Sequence, residues 1–243
     1  MVKHIVLQVF TARSTSALSR DLKSASKHGS SPMTEVIRLR LVCHKINDNI
    51  ILILILTTKE FFTMLKGQKT SIRPIEEDDI DPLYQWYNDE EVNLWSSGAW
   101  PLNTLQSKDQ LAVKFLDGSP DTYRYAILDE NELLIGTLGF KEINIPGRSA
   151  TLFVVIGDKK YWGIGYGTDA LITFARFLFF QWNFHRISLD TWDENKRAIR
   201  VYEKVGFKIE GRQREARFVL GNYHDAILMG LLREEFFSLH GKL

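Results

Sequence analysis

The 243-residue sequence has one cysteine, Cys43, so no disulfide within the chain can staple it. Stability must come from a packed core, and a reducing compartment, the cytoplasm, is the expected location. No apolar run is long enough for a bilayer: Ile50–Leu56 falls far short of the ~20 residues a spanning helix needs, so no membrane association is expected. Histidines are few; His185 has no Cys, Asp or second His at ligand spacing and reads as structural, and no metal is expected. Charge of one sign is also lacking, with a formal net charge of +1. No internal repeat appears, and composition is that of a globular protein with one main domain.

The near-zero charge hides an asymmetry. Residues 1–63 hold nine Lys/Arg and four Asp/Glu, which leaves residues 64–243 mildly acidic. An acidic domain argues against a nucleic-acid partner and tolerates a cationic substrate. Residues 1–40 are rich in Ser, Lys and Arg and show no sustained helical or strand period. Three readings fit residues 1–63: a transit-type leader, an accessory segment with one buried strand, or upstream sequence ahead of a start at Met64. The third is preferred, because Lys59-Glu60 is codable as a ribosome-binding purine run just before Met64. The expected organisation is therefore a leader, 1–63, and a domain, 64–243.

From Met64 the pattern alternates short strands and amphipathic helices. Thr70–Pro74 reads as a strand, with helices over Ile80–Tyr87 and Leu102–Phe115. Tyr123–Leu128, Leu133–Ile145 and Ser149–Ile156 read as antiparallel neighbours joined by short turns. Gly167–Trp182 has helical apolar spacing, with Asn183 suited to a left-handed stop. A strand over Arg186–Thr191, a helix over Asn195–Val205 ended by Gly206, and a hairpin from Phe207 to Leu231 follow. The predicted fold class is α+β, a twisted, mostly antiparallel sheet of about seven strands with one β-α-β crossover.

The crossover opens on Trp162-Gly163-Ile164-Gly165-Tyr166-Gly167-Thr168. Glycines at alternate positions let successive N–H groups turn toward one point ahead of a helix, which is the build of a phosphate site. A dinucleotide fingerprint is the rival, with Asp190 near the distance expected of a ribose-binding acid. It fits poorly: Thr168 stands where the third glycine should be, and several residues separate the strand from Gly163. By periodicity alone Tyr202 is a core tyrosine, and Asn195 a helix-start residue.

On these residues the chain resembles the GNAT superfamily of N-acetyltransferases, in the branch of ribosomal-protein N-terminal and diamine acetyltransferases. The family's pyrophosphate motif, Gln/Arg-x-x-Gly-x-Gly/Ala, falls on Trp162 to Gly167. Its second signature, Asn-x-x-Ala-x-x-x-Tyr-x-x-x-Gly-Phe, falls on Asn195, Ala198, Tyr202, Gly206 and Phe207. The resemblance covers about Met64 to the C-terminus. It implies acetyl-CoA as co-substrate, with no metal, and direct attack by a primary amine on the thioester. It places the pantetheine along Phe153, Val154, Val155 and Ile156, with an oxyanion N–H near Phe153 or Val154. The pyrophosphate would lie on Trp162, Gly163, Ile164, Gly165, Tyr166, Gly167 and Thr168, and Asn195 would touch the coenzyme. Tyr202 would give a proton to the departing thiolate.

Two positions depart from the family. Trp162 replaces Gln or Arg, with its backbone N–H expected to serve still, and Thr151 replaces a Glu that often faces the amine. The base is therefore open between Glu142, on the neighbouring strand, and relayed water. Trp95 and Trp100 are the acceptor-pocket candidates, since aromatic faces attract cations. The acceptor is an amine-bearing small molecule, a polyamine among them, or a protein N-terminus, and the protein a monomer or homodimer. The alternative in another class is a coenzyme-A-binding sensor that has lost its chemistry.

Overall fold

The computed structural model describes residues 8–11, 38–46, 49–57, 65–97, 106–117 and 121–242, and divides into two compact units, Met1–Phe62 and Thr63–Leu243. The first unit holds a three-stranded antiparallel sheet of β1 (Gln8–Thr11), β2 (Arg38–Ile46) and β3 (Asn49–Thr57), in the order β1-β3-β2. Residues 8–11 and 38–40 lie in strands although the first 40 residues show no sustained period. The apolar run Ile50–Leu56 lies within the central strand, paired on both sides.

Among the described residues, the second unit is one eight-stranded sheet with six helices. In chain order these are β4 (Leu65–Lys66), β5 (Ser71–Pro74), α1 (Ile80–Tyr87), α2 (Glu90–Ser97), α3 (Lys108–Ala112), β6 (Thr122–Leu128), β7 (Leu134–Asn144) and β8 (Ser149–Ile156). Then come α4 (Tyr166–Phe180), β9 (Arg186–Trp192), α5 (Lys196–Val205), β10 (Lys208–Val219), β11 (Asn222–Leu232) and α6 (Arg233–His240). The sheet order is β10-β11-β9-β8-β7-β6-β5-β4, and every pairing is antiparallel except β8 with β9. The β8-α4-β9 connection is the one predicted crossover. The eighth strand is the two-residue β4, too short to carry a period.

Local chemistry explains most boundaries. The part of the helix expected over 102–105 lies outside the described residues. Ser107 caps α3 by accepting from Gln110 N, while Gln110 Oε1 accepts from Ser107 N, so this helix starts at Lys108. It runs on through a π turn to Asp117. Gly206 stops α5 in the left-handed region, as its position just after Val205 predicts. Asn183 is left-handed too (φ 54°) and accepts from Arg233 Nη1 at 2.6 Å. The hairpin turns on Leu220 and Gly221, both with φ > 0.

The core lies between the sheet and α4, whose Ala170, Leu171, Phe174, Ala175, Leu178 and Phe179 are fully buried. Phe174 packs against Phe140 and Tyr125 of the sheet at 6.1 and 5.3 Å between centroids. The other face is covered by α1 and α3 through Ile80, Leu83, Leu111 and Phe115. α4 is thus wedged beneath the central strands, and its N-terminus stands at the end of β8.

Candidate active site

β8 and β9 pair for only three residues, Ser149 with Arg186, Ala150 with Ile187 and Thr151 with Ser188. Beyond Thr151 they separate, while β8 stays bonded to β7 through Ile156. Leu152 to Ile156 therefore offers an unpaired strand edge inside the sheet, a place for an extended ligand to add as a strand would. A cleft of about 170 Å³ opens there. Val154, Val155 and Ile156 line one wall, Asp190 and Thr191 the other, and Asn195, Ala198 and Tyr202 close the floor from α5.

The far end of the cleft is the glycine loop. Gly163 (φ +77°) and Gly165 (φ +99°) both take left-handed backbone, and Gly165 caps α4. Among the described residues, none of the N–H groups from Gly163 to Thr168 donates to a protein acceptor. Six free donors at a helix N-terminus make an anion cradle. The loop is held from outside: Lys69 Nζ donates to Ile164 O at 3.0 Å, and Trp162 Nε1 to Ile156 O at 2.7 Å.

Asp169, in the first turn of α4, takes four hydrogen bonds from the β4–β5 turn: the amides of Gln68, Lys69 and Thr70 and the Thr70 hydroxyl, at 2.7–2.9 Å. Bonds to an ionised acceptor are worth about 1.5–3 kcal/mol each, and Ala would leave Thr70 unsatisfied. Asp169→Ala should cost at least about 2 kcal/mol in urea unfolding, and coenzyme affinity should weaken as Lys69 loses its anchor. An unchanged unfolding midpoint would show the turn held by other contacts.

The Trp162 departure has a structural counterpart. Its backbone N–H is used internally, donating to Lys159 O at 3.1 Å, which corrects the expectation that this amide serves the ligand. Instead the indole carries the Arg197 guanidinium, 3.9 Å from the ring centroid. A cation thus reaches the cleft from α5, near where the family motif lists an arginine. Sequence reading missed Arg197, because only the packing of α5 against the loop brings it to Trp162.

The remaining candidates sort by position. Trp95 lines the cleft, stacked on Trp192 at 5.4 Å, and its carbonyl accepts from Asn195 Nδ2 at 2.8 Å. Asn195 Oδ1 meanwhile caps α5 through Ala198 N, the helix-start role expected of it, and the residue lines the cleft. Trp100 lies outside the described residues. Ile164 and Tyr166 do not line the cleft: the first is exposed, and the second is buried with its hydroxyl donating to Glu130. The hydrogen bond from Tyr166 to Glu130 raises that phenol to about 12. Phe153 points its ring over β7 rather than into the cleft.

Tyr202 is buried in the cleft floor, and burial, reinforced by the Asp190 charge, pushes its phenol up to about 12. Glu142 does not line the cleft. It sits in a β-bulge of β7 with φ 54°, where the register with β8 is interrupted. Strand alternation would turn it toward α4, but the bulge re-aims it. Its carboxylate meets Lys141 Nζ at 3.1 Å, and the Thr151 hydroxyl, then Lys141, hold it below the usual carboxylate range. Thr151 is the last paired residue before the strands part, and its hydroxyl is 3.4 Å from that of Ser188.

A mostly antiparallel sheet that splits at one parallel pair, with an anion cradle at the crossover helix, defines an acyltransferase of the acetyl-coenzyme A class. The acetyltransferase (GNAT) domain family matches residues 69–208, and the chain belongs to that family of N-acetyltransferases. It is 25% identical over 173 residues to a spermidine N(1)-acetyltransferase of Vibrio cholerae, covering 71% of this chain and 98% of that protein. To the Escherichia coli K12 spermidine N(1)-acetyltransferase it is 26% identical over 178 residues, covering 73% and 93%. The crystal structure of a Vibrio cholerae spermidine N-acetyltransferase with CoA and spermine superposes with a TM-score of 0.62 at 25% identity, covering 69% of this chain and 98% of that one. Among the described residues, no helix is long and apolar enough to cross a membrane, and no group of three His, Cys, Asp or Glu could hold a metal ion.

Proposed function

We propose that the protein transfers an acetyl group from acetyl-CoA to the primary amine of a small molecule. The observation that carries this is the separation of β8 from β9 beyond Thr151, which leaves a strand edge, a buried tyrosine and the free amides of the glycine loop along one cleft. Acetyl-CoA supplies an activated thioester, so no covalent enzyme intermediate is required. The Gly163–Thr168 amides and Arg197 would hold its phosphates, and the edge of β8 its pantetheine, with an N–H near Phe153 or Val154 for the developing oxyanion. Tyr202 Oη, protonated across the neutral range, is the donor for the departing sulfur. The relatives' names put polyamines among the acceptors to assay.

The amine must lose a proton, since an alkyl ammonium has a pKa of ~10.4. Glu142, re-aimed to the Thr151 hydroxyl at the point of separation, is the base we assign, acting through that hydroxyl or a water. Glu142→Gln should lower kcat/KM by about 10²-fold at neutral pH, with coenzyme affinity kept. The pH profile separates this from a packing role. Because Glu142 is held below the usual range, its acid limb should lie below the ordinary glutamate pKa, and the variant should lose that limb. A variant with full activity and an unaltered profile would return the role to water. Thiol release across a panel of amines tests the reaction itself, and a protein that binds acetyl-CoA but acetylates none of them would favour the sensor alternative.

A further inference from the structure

Lys114 and Arg124 converge on one face of the sheet, and among the described residues no carboxylate meets them. Arg124 on β6 pairs with Gly139 on β7, which pairs with Phe153 on β8. Gly139 is needed there, because a Cβ would collide with the Phe153 ring and the Tyr123 carbonyl. Over that gap the Arg124 guanidinium lies 5.7 Å from the Phe153 centroid and 5.7 Å from Phe115. Lys114 Nζ sits over the same Phe115 ring at 5.7 Å and over Tyr87 at 4.7 Å. Two half-buried cations thus share one phenyl ring.

Neither has an ion pair among the described residues, whereas Arg73, Lys159, Arg186 and Arg212 all do. The segments 98–105 and 118–120 contain no Asp or Glu. Burial lowers the pKa of both groups, and for Lys114 the Arg124 charge lowers it further. Aromatic faces return only part of what desolvation and like-charge repulsion cost, so the pair suits an anion that arrives with a ligand. Phe153 shares its strand face with Val155, which lines the cleft, and with Thr151, beside Glu142. Steps of two residues on a strand are about 7 Å, so the pair stands on the approach to the proposed base.

We propose that Lys114 and Arg124 bind a carboxylate of the acceptor, so that the amine acetylated belongs to an amino acid or similar amino-carboxylate. The proposal rests on the amine-acetyltransferase reading and names its substrate class. A guanidinium fork matches a planar carboxylate in two parallel bonds, and the coenzyme phosphates have their own donors at the glycine loop. A polyamine would bring cations to cations that nothing compensates.

The test is thiol release by the full chain at fixed ionic strength, comparing β-alanine and 4-aminobutyrate with alkylamines of matching length, phosphoethanolamine and spermidine. Amino-carboxylates should show kcat/KM at least tenfold above the matched alkylamines. Arg124→Ala and Lys114→Ala should bring that ratio toward one, mainly through KM, while Arg124→Lys keeps part of it. Coenzyme affinity and circular dichroism verify that the variants are folded. Preference for spermidine or phosphoethanolamine, or a ratio untouched by Arg124→Ala, overturns the proposal. So does stimulation of alkylamine turnover by added free acetate, which would make the pair an effector site. If no amine is turned over, the reaction reading fails separately, and calorimetry with N-acetyl-β-alanine decides: binding to the wild type and not to Arg124→Ala supports the carboxylate site, and equal or no binding refutes it.

Discussion

Tyr202→Phe should lower turnover by about 10²-fold while leaving acetyl-CoA affinity close to that of the wild type. The ring stays, so its contact with Phe207, 6.1 Å between centroids, and its burial are kept. Only the hydroxyl is lost. With a phenol pKa of about 12, Tyr202 cannot fully protonate a free thiolate of pKa ~8.5 on thermodynamic grounds. It acts by donating a hydrogen bond to charge as it grows on sulfur, which puts the effect at the low end of general-acid losses of roughly 10²–10⁴. The pH dependence follows in sign: a phenol raised from 10.0 to about 12 stays protonated, so Tyr202 gives no alkaline limb near its ordinary pKa. The rate should rise through the alkaline range as the acceptor amine loses its proton. Single-turnover measurement keeps chemistry rate-limiting, and wild-type turnover in the variant would make Tyr202 a core residue alone.

The parts of the fold legible in the sequence are those whose cause is local. Gly163 and Gly165 advertise a loop because only glycine takes their φ cheaply, and Asn195 and Gly206 bracket α5 because a cap and a left-handed stop each need a particular residue. Ser149–Ile156 is a continuous run between turns, and its bounds came out of the sequence directly. By contrast α6 is hidden: its start continues the apolar end of β11, and Phe236 and Phe237 are adjacent yet both buried, which erases the helical stripe. The helix begins where Glu235 accepts from Leu232 N, a bond that no periodicity reveals.

The cleft was half legible for the same reason. Its coenzyme end lies in one stretch of chain, whereas the rest depends on register. Arg197 reaches Trp162 only through the packing of α5 on the loop. Glu142 reaches Thr151 only because a bulge reverses strand alternation. Arg124 and Phe153 meet only because three strands align them across a glycine. Binary patterning fixes faces, but a one-residue change in register would have undone each of these contacts.

Gly165→Val should weaken acetyl-CoA binding at least tenfold, about 1.4 kcal/mol or more. The reason is backbone conformation rather than space. A Cβ at Gly165 would meet nothing closer than Lys69 Nζ at 3.5 Å, an ordinary contact. At φ +99°, however, a β-branched residue is strained, at a cost of about 1–3 kcal/mol, and the loop relieves that strain by turning its amides. Because the free donors from Gly163 to Thr168 act together, rotating one peptide spoils the cradle for all. Gly167 supplies the control. It lies within α4 without positive φ, and a Cβ there would stand 3.6 Å from Ile156 Cγ1, so Gly167→Ala should change affinity far less. Gly165→Asn should fall between them, since asparagine tolerates left-handed backbone better than valine. Calorimetric titration of acetyl-CoA into the three variants checks this order. Equal affinity in Gly165→Val and the wild type would mean that the phosphates are held elsewhere.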